Sequence, residues 1–221
     1  MKIVPAVLAE NADDFLLRMK EAGSFADYIQ IDMMDGVFVP TNSFAPERIN
    51  NLVTPLSFEI HLMVKHPSAY IIQLHNPGLK KVLFHFESAV KHLDFIRQMK
   101  ERGIEAGLAV KPDTEIEKFR SIAQQVGTIL FLTVDPGSYG SPFRPEVLDK
   151  IREARTIFED KIIAADGGVS IDNLQLFLDA GVDYVCVGSR IFLHGSPADN
   201  YRHFISELNK LEVRHDYSHR S

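Results

Sequence analysis

Residues 161–188 read KIIAADGGVSIDNLQLFLDAGVDYVCVG and contain one complete strand–helix–strand unit. The apolar run at 161–166 predicts a strand. The segment 171–180 carries apolar residues at helical spacing and is followed by Gly181, a residue favoured just past the end of a helix. Residues 182–188 then predict a second strand. Two strands joined by a helix in this way predict a parallel pair with a crossover connection.

The same alternation extends outward over the rest of the chain. Short apolar and β-branched runs predict strands at 2–8, 28–34, 56–62, 80–86, 104–110, 128–134, 161–166 and 182–188. Eight such units favour closure into a barrel over a doubly wound open sheet, which seldom uses eight parallel strands in a chain of this length. We therefore predict an α/β fold, a single (β/α)8 TIM barrel over residues 1–212, with a polar, flexible tail at 213–221.

The composition limits the partners of this chain. Of its 221 residues 45% are hydrophobic and 24% are charged, which is typical of a globular protein. The formal net charge is −6 and the basic residues form no stripe, so we expect no nucleic-acid partner. No run reaches the ~18 uncharged apolar residues of a membrane span, so we expect no membrane partner. The single cysteine favours a cytoplasmic location, and a homo-oligomer is left open.

Ionisable side chains stand at the ends of three predicted strands. Asp32, His61 and Asp166 follow apolar runs, and an unpaired acid in such a run costs several kcal/mol. Each alone has a structural explanation, but chemistry gathers at the carboxyl ends of barrel strands, and three together favour a functional site. Two carboxylates on opposite sides of a ligand suit removal of a proton from one face and its delivery to the other. The histidine beside them makes a divalent-metal site plausible.

Glycine-bearing turns follow the last three predicted strands. They contain Gly137 and Gly140 after strand 6, Gly167 and Gly168 after strand 7, and Gly188 and Ser189 after strand 8. Loops at this position hold phosphate in many barrels through backbone N–H groups and a short helix N-terminus. We therefore predict that these residues bind the phosphate of a small anionic substrate.

These residues belong to longer motifs that resemble the ribulose-phosphate 3-epimerase family and its relatives acting on ketohexose phosphates. The resemblance covers residues 3–193 and rests on the strings IDMMDGVFVP (31–40), HLMV (61–64), HFE (85–87), VDPG (134–137), FRPEVLDKI (143–151), DGGV (166–169) and VGS (187–189). It implies a divalent metal, either Zn, Fe, Mn or Co, held by two histidines and two aspartates that also act as acid and base. Asp32, His61 and Asp166 match three of these ligands, and Met34 and Met63 match methionines beside the reacting centre.

Several positions depart from the family pattern. Gln30 stands where the family has its first metal-binding histidine, and a neutral amide oxygen is a weaker ligand than imidazole. Other departures are Ala6 for serine, Lys111 and Thr41 for asparagine, Leu132 for methionine, and Tyr139 for a glycine of the phosphate loop. We expect Gln30 to contact substrate and the metal to be held more loosely than in relatives.

The resemblance implies an isomerase that inverts C3 of a ketose phosphate, with D-ribulose 5-phosphate, D-xylulose 5-phosphate or a ketohexose analogue as substrate. Two alternatives stay open. A lyase would use Lys111 as a Schiff-base nucleophile, although Pro112 and Asp113 look like a helix start that leaves the lysine exposed. A sugar-phosphate-binding barrel without catalysis would explain the clustered departures.

Overall fold

The structure is a computed structural model that describes residues 1–137 and 140–218, with side chains described through residue 213. Tyr139, which replaces a glycine of the family's phosphate loop, lies outside the described residues, as does the end of the predicted tail at 219–221.

Eight parallel strands form a closed barrel in chain order. They are β1 (Lys2–Leu8), β2 (Tyr28–Met34), β3 (Ser57–Met63), β4 (Leu79–His85), β5 (Glu105–Val110), β6 (Thr128–Leu132), β7 (Ile162–Asp166) and β8 (Tyr184–Val187). The barrel closes where β1 pairs with β8, in a register that sets Lys2 opposite Tyr184. This closure confirms the predicted (β/α)8 TIM barrel and excludes an open sheet, whose edge strands stay unpaired.

Helices follow each strand on the outside of the barrel. They are α1 (Ala12–Ala22), α2 (Glu47–Asn50), α3 (Pro67–Ile71), α4 (His92–Glu101), α5 (Ile116–Ala123), α6 (Val147–Ile157), α7 (Leu174–Asp179), α8 (Ser189–Phe192) and α9 (Pro197–Ser218). The Asn11 side chain begins α1 by accepting the Asp14 N–H, and Phe15 and Met19 are buried on its inner face. Among the described residues, no helix has the length and apolar character that crossing a membrane requires.

Alternation along the strands separates two apolar layers. Outward side chains pack under the helices in a large core that includes Phe58, Phe84 and Phe131. Inward side chains such as Leu83 and Leu130 fill the middle of the barrel. Asp32, His61 and Asp166 also point inward, because each shares the parity of the inner residues of its strand.

A buried acid lies at the amino-terminal end of the barrel interior. The Glu59 carboxylate accepts hydrogen bonds from the hydroxyls of Tyr28 at 2.9 Å and Tyr184 at 3.0 Å, and Lys81 Nζ lies 3.4 Å away. Burial raises the pKa of Glu59, although the ammonium of Lys81 and the two hydroxyls oppose the rise. These contacts connect β2, β3, β4 and β8 and account for this acid as a structural element.

The last helix continues past the boundary expected from the sequence. Phe204 and Leu208 of α9 are buried against the barrel core. The helix then extends to Ser218, so residues 213–218 of the expected tail are helical in backbone. The flexibility of that tail stays a prediction.

Candidate active site

A cavity opens at the carboxyl ends of the strands. Its lining includes most of the residues that the sequence singled out, namely Asp32, Met34, His61, Met63, Gly137, Gly140, Asp166, Gly167, Gly168, Gly188 and Ser189. Gln30 is fully buried and lies beneath this lining rather than in it. Met34 and Met63 pack with Leu8 and Val39 into a small apolar cluster on one side of the cavity.

The two aspartates reach the same cavity from well-separated strands. Asp32 lies near the end of β2 and Asp166 at the end of β7, with β1 and β8 between them. His61 of β3 stands opposite Asp32 in the strand register. Its Nδ1 lies 3.1 Å from Asp32 Oδ1 and 3.2 Å from Asp166 Oδ2. The imidazole therefore holds one oxygen of each carboxylate and leaves the other for a ligand in the cavity.

The amide of Gln30 links the same two oxygens from below. Its Nε2 donates to Asp32 Oδ1 at 2.9 Å and to Asp166 Oδ2 at 2.7 Å. Its Oε1 accepts a hydrogen bond from the buried thiol of Cys186 at 3.0 Å. Because carboxylates accept hydrogen bonds and a thiol donates one, these partners orient the amide with its N–H groups toward the aspartates.

The environment makes a proton easier to keep on Asp32 than in water. Burial raises the pKa of this carboxyl, and the negative charge of Asp166 raises it further. Hydrogen bonds from His61 and Gln30 oppose the rise. A pair of carboxylates in which one keeps a proton has one member ready as acid and one ready as base.

A second histidine extends the cluster away from the cavity. His85 Nε2 lies 2.9 Å from His61 Nε2, and His85 Nδ1 lies 3.2 Å from Glu87 Oε2. Burial alone would lower the pKa of His61, but the hydrogen bonds and charges of Asp166 and Asp32 outweigh it and raise the pKa to about 9. Burial and the neighbouring His61 lower the pKa of His85 to about 4, although Glu87 opposes this.

Glu87 is held in place by the start of the β5–α5 loop. Its Oε1 accepts the backbone N–H of Lys111 at 2.9 Å and the hydroxyl of Thr114. Burial alone would raise the pKa of Glu87, but hydrogen bonds from His85 and Thr114 outweigh it and lower the pKa to about 2. Neither His85 nor Glu87 was assigned a role in the site by the sequence analysis. The HFE string on a strand next to β3 was the available signal.

Phe38 and Lys111 cover the outer side of this chain of contacts. The Phe38 ring lies 4.7 Å from the His85 ring, and Lys111 Nζ lies 4.1 Å above the Phe38 ring. The lysine is half-buried rather than exposed, and it is not among the residues that line the cavity. Its ammonium therefore lies over an aromatic face instead of pointing into the cavity, and this disfavours the lyase alternative.

The turn formed by Gly167 and Gly168, beside Asp166, packs closely against Val134 and Phe143 of the loop that follows β6. Gly167 and Gly168 have φ values of 104° and 66°, in the left-handed region that favours glycine. A Cβ on Gly168 would lie 2.9 Å from the Cβ of Phe143, and one on Gly167 would lie 2.4 Å from a methyl of Val134. Gly167 and Gly168 are therefore needed both for the backbone conformation and for space. Because they have no side chain, their backbone lines the cavity directly.

Comparison with known proteins identifies the family. A family model described as the ribulose-phosphate 3 epimerase family matches residues 2–192. The ribulose-phosphate 3-epimerase of Schizosaccharomyces pombe is 33% identical over 206 residues, which cover 90% of each chain. The enzyme of that name from Mycobacterium bovis is 32% identical and covers 89% of this chain and 88% of its own.

The chain belongs to the ribulose-phosphate 3-epimerase family. Membership confirms the resemblance found in the motifs and the prediction of an isomerase, and it supports a sugar-phosphate epimerase. Solved structures with lower identity share the fold. A 3-hexulose-6-phosphate synthase from Salmonella typhimurium superposes with a TM-score of 0.70 at 15% identity, covering 96% of this chain and all of the other. An orotidine 5'-monophosphate decarboxylase from Sulfolobus solfataricus gives 0.66 at 14%, covering 95% and 98%.

Three side chains of this family member suit a divalent cation. Asp32, His61 and Asp166 each offer one ligand atom, and these atoms lie within 4.8 Å of one another. Carboxylate oxygens and imidazole nitrogen are donors that Zn, Mn, Fe and Co accept. Gln30 presents N–H groups to the same place, so its oxygen could ligate only after the amide rotates and gives up its two hydrogen bonds to the aspartates.

Proposed function

We propose that this protein inverts C3 of a ketose phosphate through a 2,3-enediolate, converting D-ribulose 5-phosphate to D-xylulose 5-phosphate or acting on a ketohexose-phosphate analogue. The observation that carries the proposal is the meeting of Asp32 and Asp166, from separate strands, at one cavity. Inversion at a carbon next to a carbonyl requires a base on one face and an acid on the other, and two carboxylates meet that need.

In this proposal the two carboxylates exchange roles with the direction of the reaction. One removes the C3 proton, and the other returns a proton to the opposite face of the planar intermediate. His61 and Gln30 hold one oxygen of each carboxylate, at Asp32 Oδ1 and Asp166 Oδ2. The remaining oxygens, Asp32 Oδ2 and Asp166 Oδ1, are the atoms we propose for proton transfer.

The phosphate of the substrate is proposed to bind at the glycine turns. Gly168, Gly188 and Ser189 line the cavity on the side of Asp166, and backbone N–H groups in such turns bind phosphate without a cationic side chain. Phosphate binding by backbone N–H groups is compatible with the net charge of −6, and it does not require Arg190, which is exposed to solvent. Met34 and Met63 would shield the sugar on the opposite side.

We also propose that Asp32, His61 and Asp166 hold a divalent cation. When bound, the cation supplies Lewis-acid stabilisation of the negative charge that develops on substrate oxygens. The chain itself supplies the proton-transfer groups and keeps them in place. The Gln30 amide competes with the cation for the same carboxylate oxygens, so we propose weaker metal binding than a histidine would give. The cytoplasmic location and the oligomeric state stay predictions.

The test is exchange of the C3 proton with solvent. Wild-type protein incubated in D2O with D-ribulose 5-phosphate, and separately with ketohexose phosphates, is expected to incorporate deuterium at C3. Asp32→Asn should lower the rate at which one C3 epimer is converted into the other by about 10²–10⁴-fold, the usual contribution of one acid–base group. Asp160→Asn is the matched control, because that aspartate is 78% exposed and lies outside the cavity. A normal rate of C3 inversion in Asp32→Asn would refute the proposal.

A second candidate is a sugar-phosphate-binding barrel without catalysis. The observation that favours it is the Gln30 amide, which donates hydrogen bonds to both carboxylates in the place where a cation would bind. This candidate predicts calorimetric binding of a ketose phosphate with no deuterium at C3 and no bound metal.

A further inference from the structure

The side chains of His61, His85 and Glu87 form a buried chain of contacts that ends on Asp32 and Asp166. Both histidines are fully buried, and each uses both ring nitrogens in contacts within the chain. Buried imidazoles with both nitrogens engaged have fixed donor and acceptor roles, which can be traced from one end.

Glu87 sets the roles from the outer end. An ionised carboxylate only accepts hydrogen bonds, so His85 must carry its proton on Nδ1, 3.2 Å from Glu87 Oε2. His85 is the neutral member of the pair, since it lies between His61 and the Lys111 ammonium while His61 faces two carboxylates. Its Nε2 therefore carries a lone pair, and His61 donates its own Nε2–H across the 2.9 Å contact.

From this geometry we infer that Glu87 and His85 are positioning residues that fix the tautomer of His61. In the metal-free protein His61 Nδ1 donates to the carboxylates of Asp32 and Asp166, and His85 holds the second proton of the ring on Nε2. A cation that binds between the aspartates therefore replaces the Nδ1 proton, and the neutral imidazole with its proton on Nε2 is the form that can ligate it there. The inference deepens the proposed function and rests on it for the identity of the ligand, but the tautomer itself is independent of catalysis.

The inference can be tested with Glu87→Gln, a variant that replaces one carboxylate oxygen of Glu87 by an NH2 group. In Glu87→Gln the backbone N–H of Lys111 still needs an acceptor, so the amide oxygen should take the place of Oε1. The amide N–H2 then faces His85 Nδ1 as a donor. His85 must move its proton to Nε2, and His61 must accept there and keep its own proton on Nδ1, where it blocks a cation.

The experiment uses the full chain labelled with 15N at histidine. Long-range 1H–15N spectra of metal-free protein should show His85 as the Nδ1–H tautomer in wild type and as the Nε2–H tautomer in Glu87→Gln. Zn²⁺ titration should show at least a tenfold lower affinity in Glu87→Gln. Thr114→Val is the matched control, because it removes the hydroxyl on the far oxygen of Glu87 and should leave both readouts unchanged.

Thermal denaturation identifies a variant that has simply failed to fold, and His85→Leu then provides the second test, since it removes the acceptor of the His61 proton and should also weaken Zn²⁺ binding. An Nε2–H tautomer of His85 in wild type, or unchanged Zn²⁺ affinity in both Glu87→Gln and His85→Leu, would overturn the inference. Wild-type protein with the Nδ1–H tautomer and no affinity for Zn²⁺ would support the tautomer and refute the metal site proposed above.

Discussion

Replacing Gln30 by histidine should tighten cation binding at the site proposed for Asp32, His61 and Asp166. In the wild type a cation must displace the amide from Asp32 Oδ1 and Asp166 Oδ2, where it donates at 2.9 and 2.7 Å. A hydrogen bond to a charged group contributes about 1.5–3 kcal/mol. Imidazole removes this competition and adds a nitrogen ligand. Even if the gain equals only one such bond, about 1.5 kcal/mol corresponds to an affinity about tenfold higher.

Isothermal titration of metal-free protein with Zn²⁺ or Mn²⁺ measures the change directly. Gln30→Leu separates the two contributions, because leucine removes the competing amide but offers no ligand. We expect the dissociation constant to fall by at least about tenfold in Gln30→His and by less in Gln30→Leu. Equal affinity in wild type and Gln30→His would remove Gln30 from the metal site and refute the reasoning.

Two further outcomes concern stability and phosphate binding. Gly168→Ala should lower the free energy of unfolding by about 1–3 kcal/mol and weaken inorganic phosphate binding, because its Cβ would lie 2.9 Å from Phe143. Gly140→Ala, whose Cβ meets no described atom within 4 Å, should lose less stability, and an equal loss of stability in the two variants would contradict the argument. Burial lowers the pKa of His85 from 6.5 to about 4, so between these two pH values His85 is protonated in the unfolded chain but not in the folded protein. The free energy of unfolding should therefore decrease as the pH falls from 6.5 to about 4. Denaturation curves of His85→Gln should lack this contribution, and parallel pH profiles would contradict it.

The fold could be predicted because the signals that specify it are local and repeated. The strand at 28–34 is found with the predicted bounds, and β1 spans the predicted 2–8. The helix expected at 171–180 is found as a 3-10 turn at Ile171–Asn173 followed by α7. The helical backbone of 213–218 was missed, because that segment has too few apolar residues to show helical periodicity. It is helical as the continuation of α9, whose earlier residues Phe204 and Leu208 pack against the core.

The candidate site could be predicted only in part. Asp32, His61 and Asp166 were recognisable because ionisable residues at strand ends are costly without a partner. The contact between His61 and His85 was not, since it depends on the stagger of β3 against β4, where the register shifts. The orientation of the Gln30 amide depends on Cys186 from a strand far away in sequence, so no local pattern could reveal it.

The buried Glu59 network at the amino-terminal end has a consequence for how this family member can change. It joins hydroxyls and an ammonium from β2, β4 and β8 on one carboxylate of β3, and so links four strands across the amino-terminal end of the barrel. Substitutions at the carboxyl ends of the strands can then alter the chemistry of the site while the barrel below them keeps its shape. A protein with this network can therefore carry an amide instead of an imidazole at position 30 and still fold.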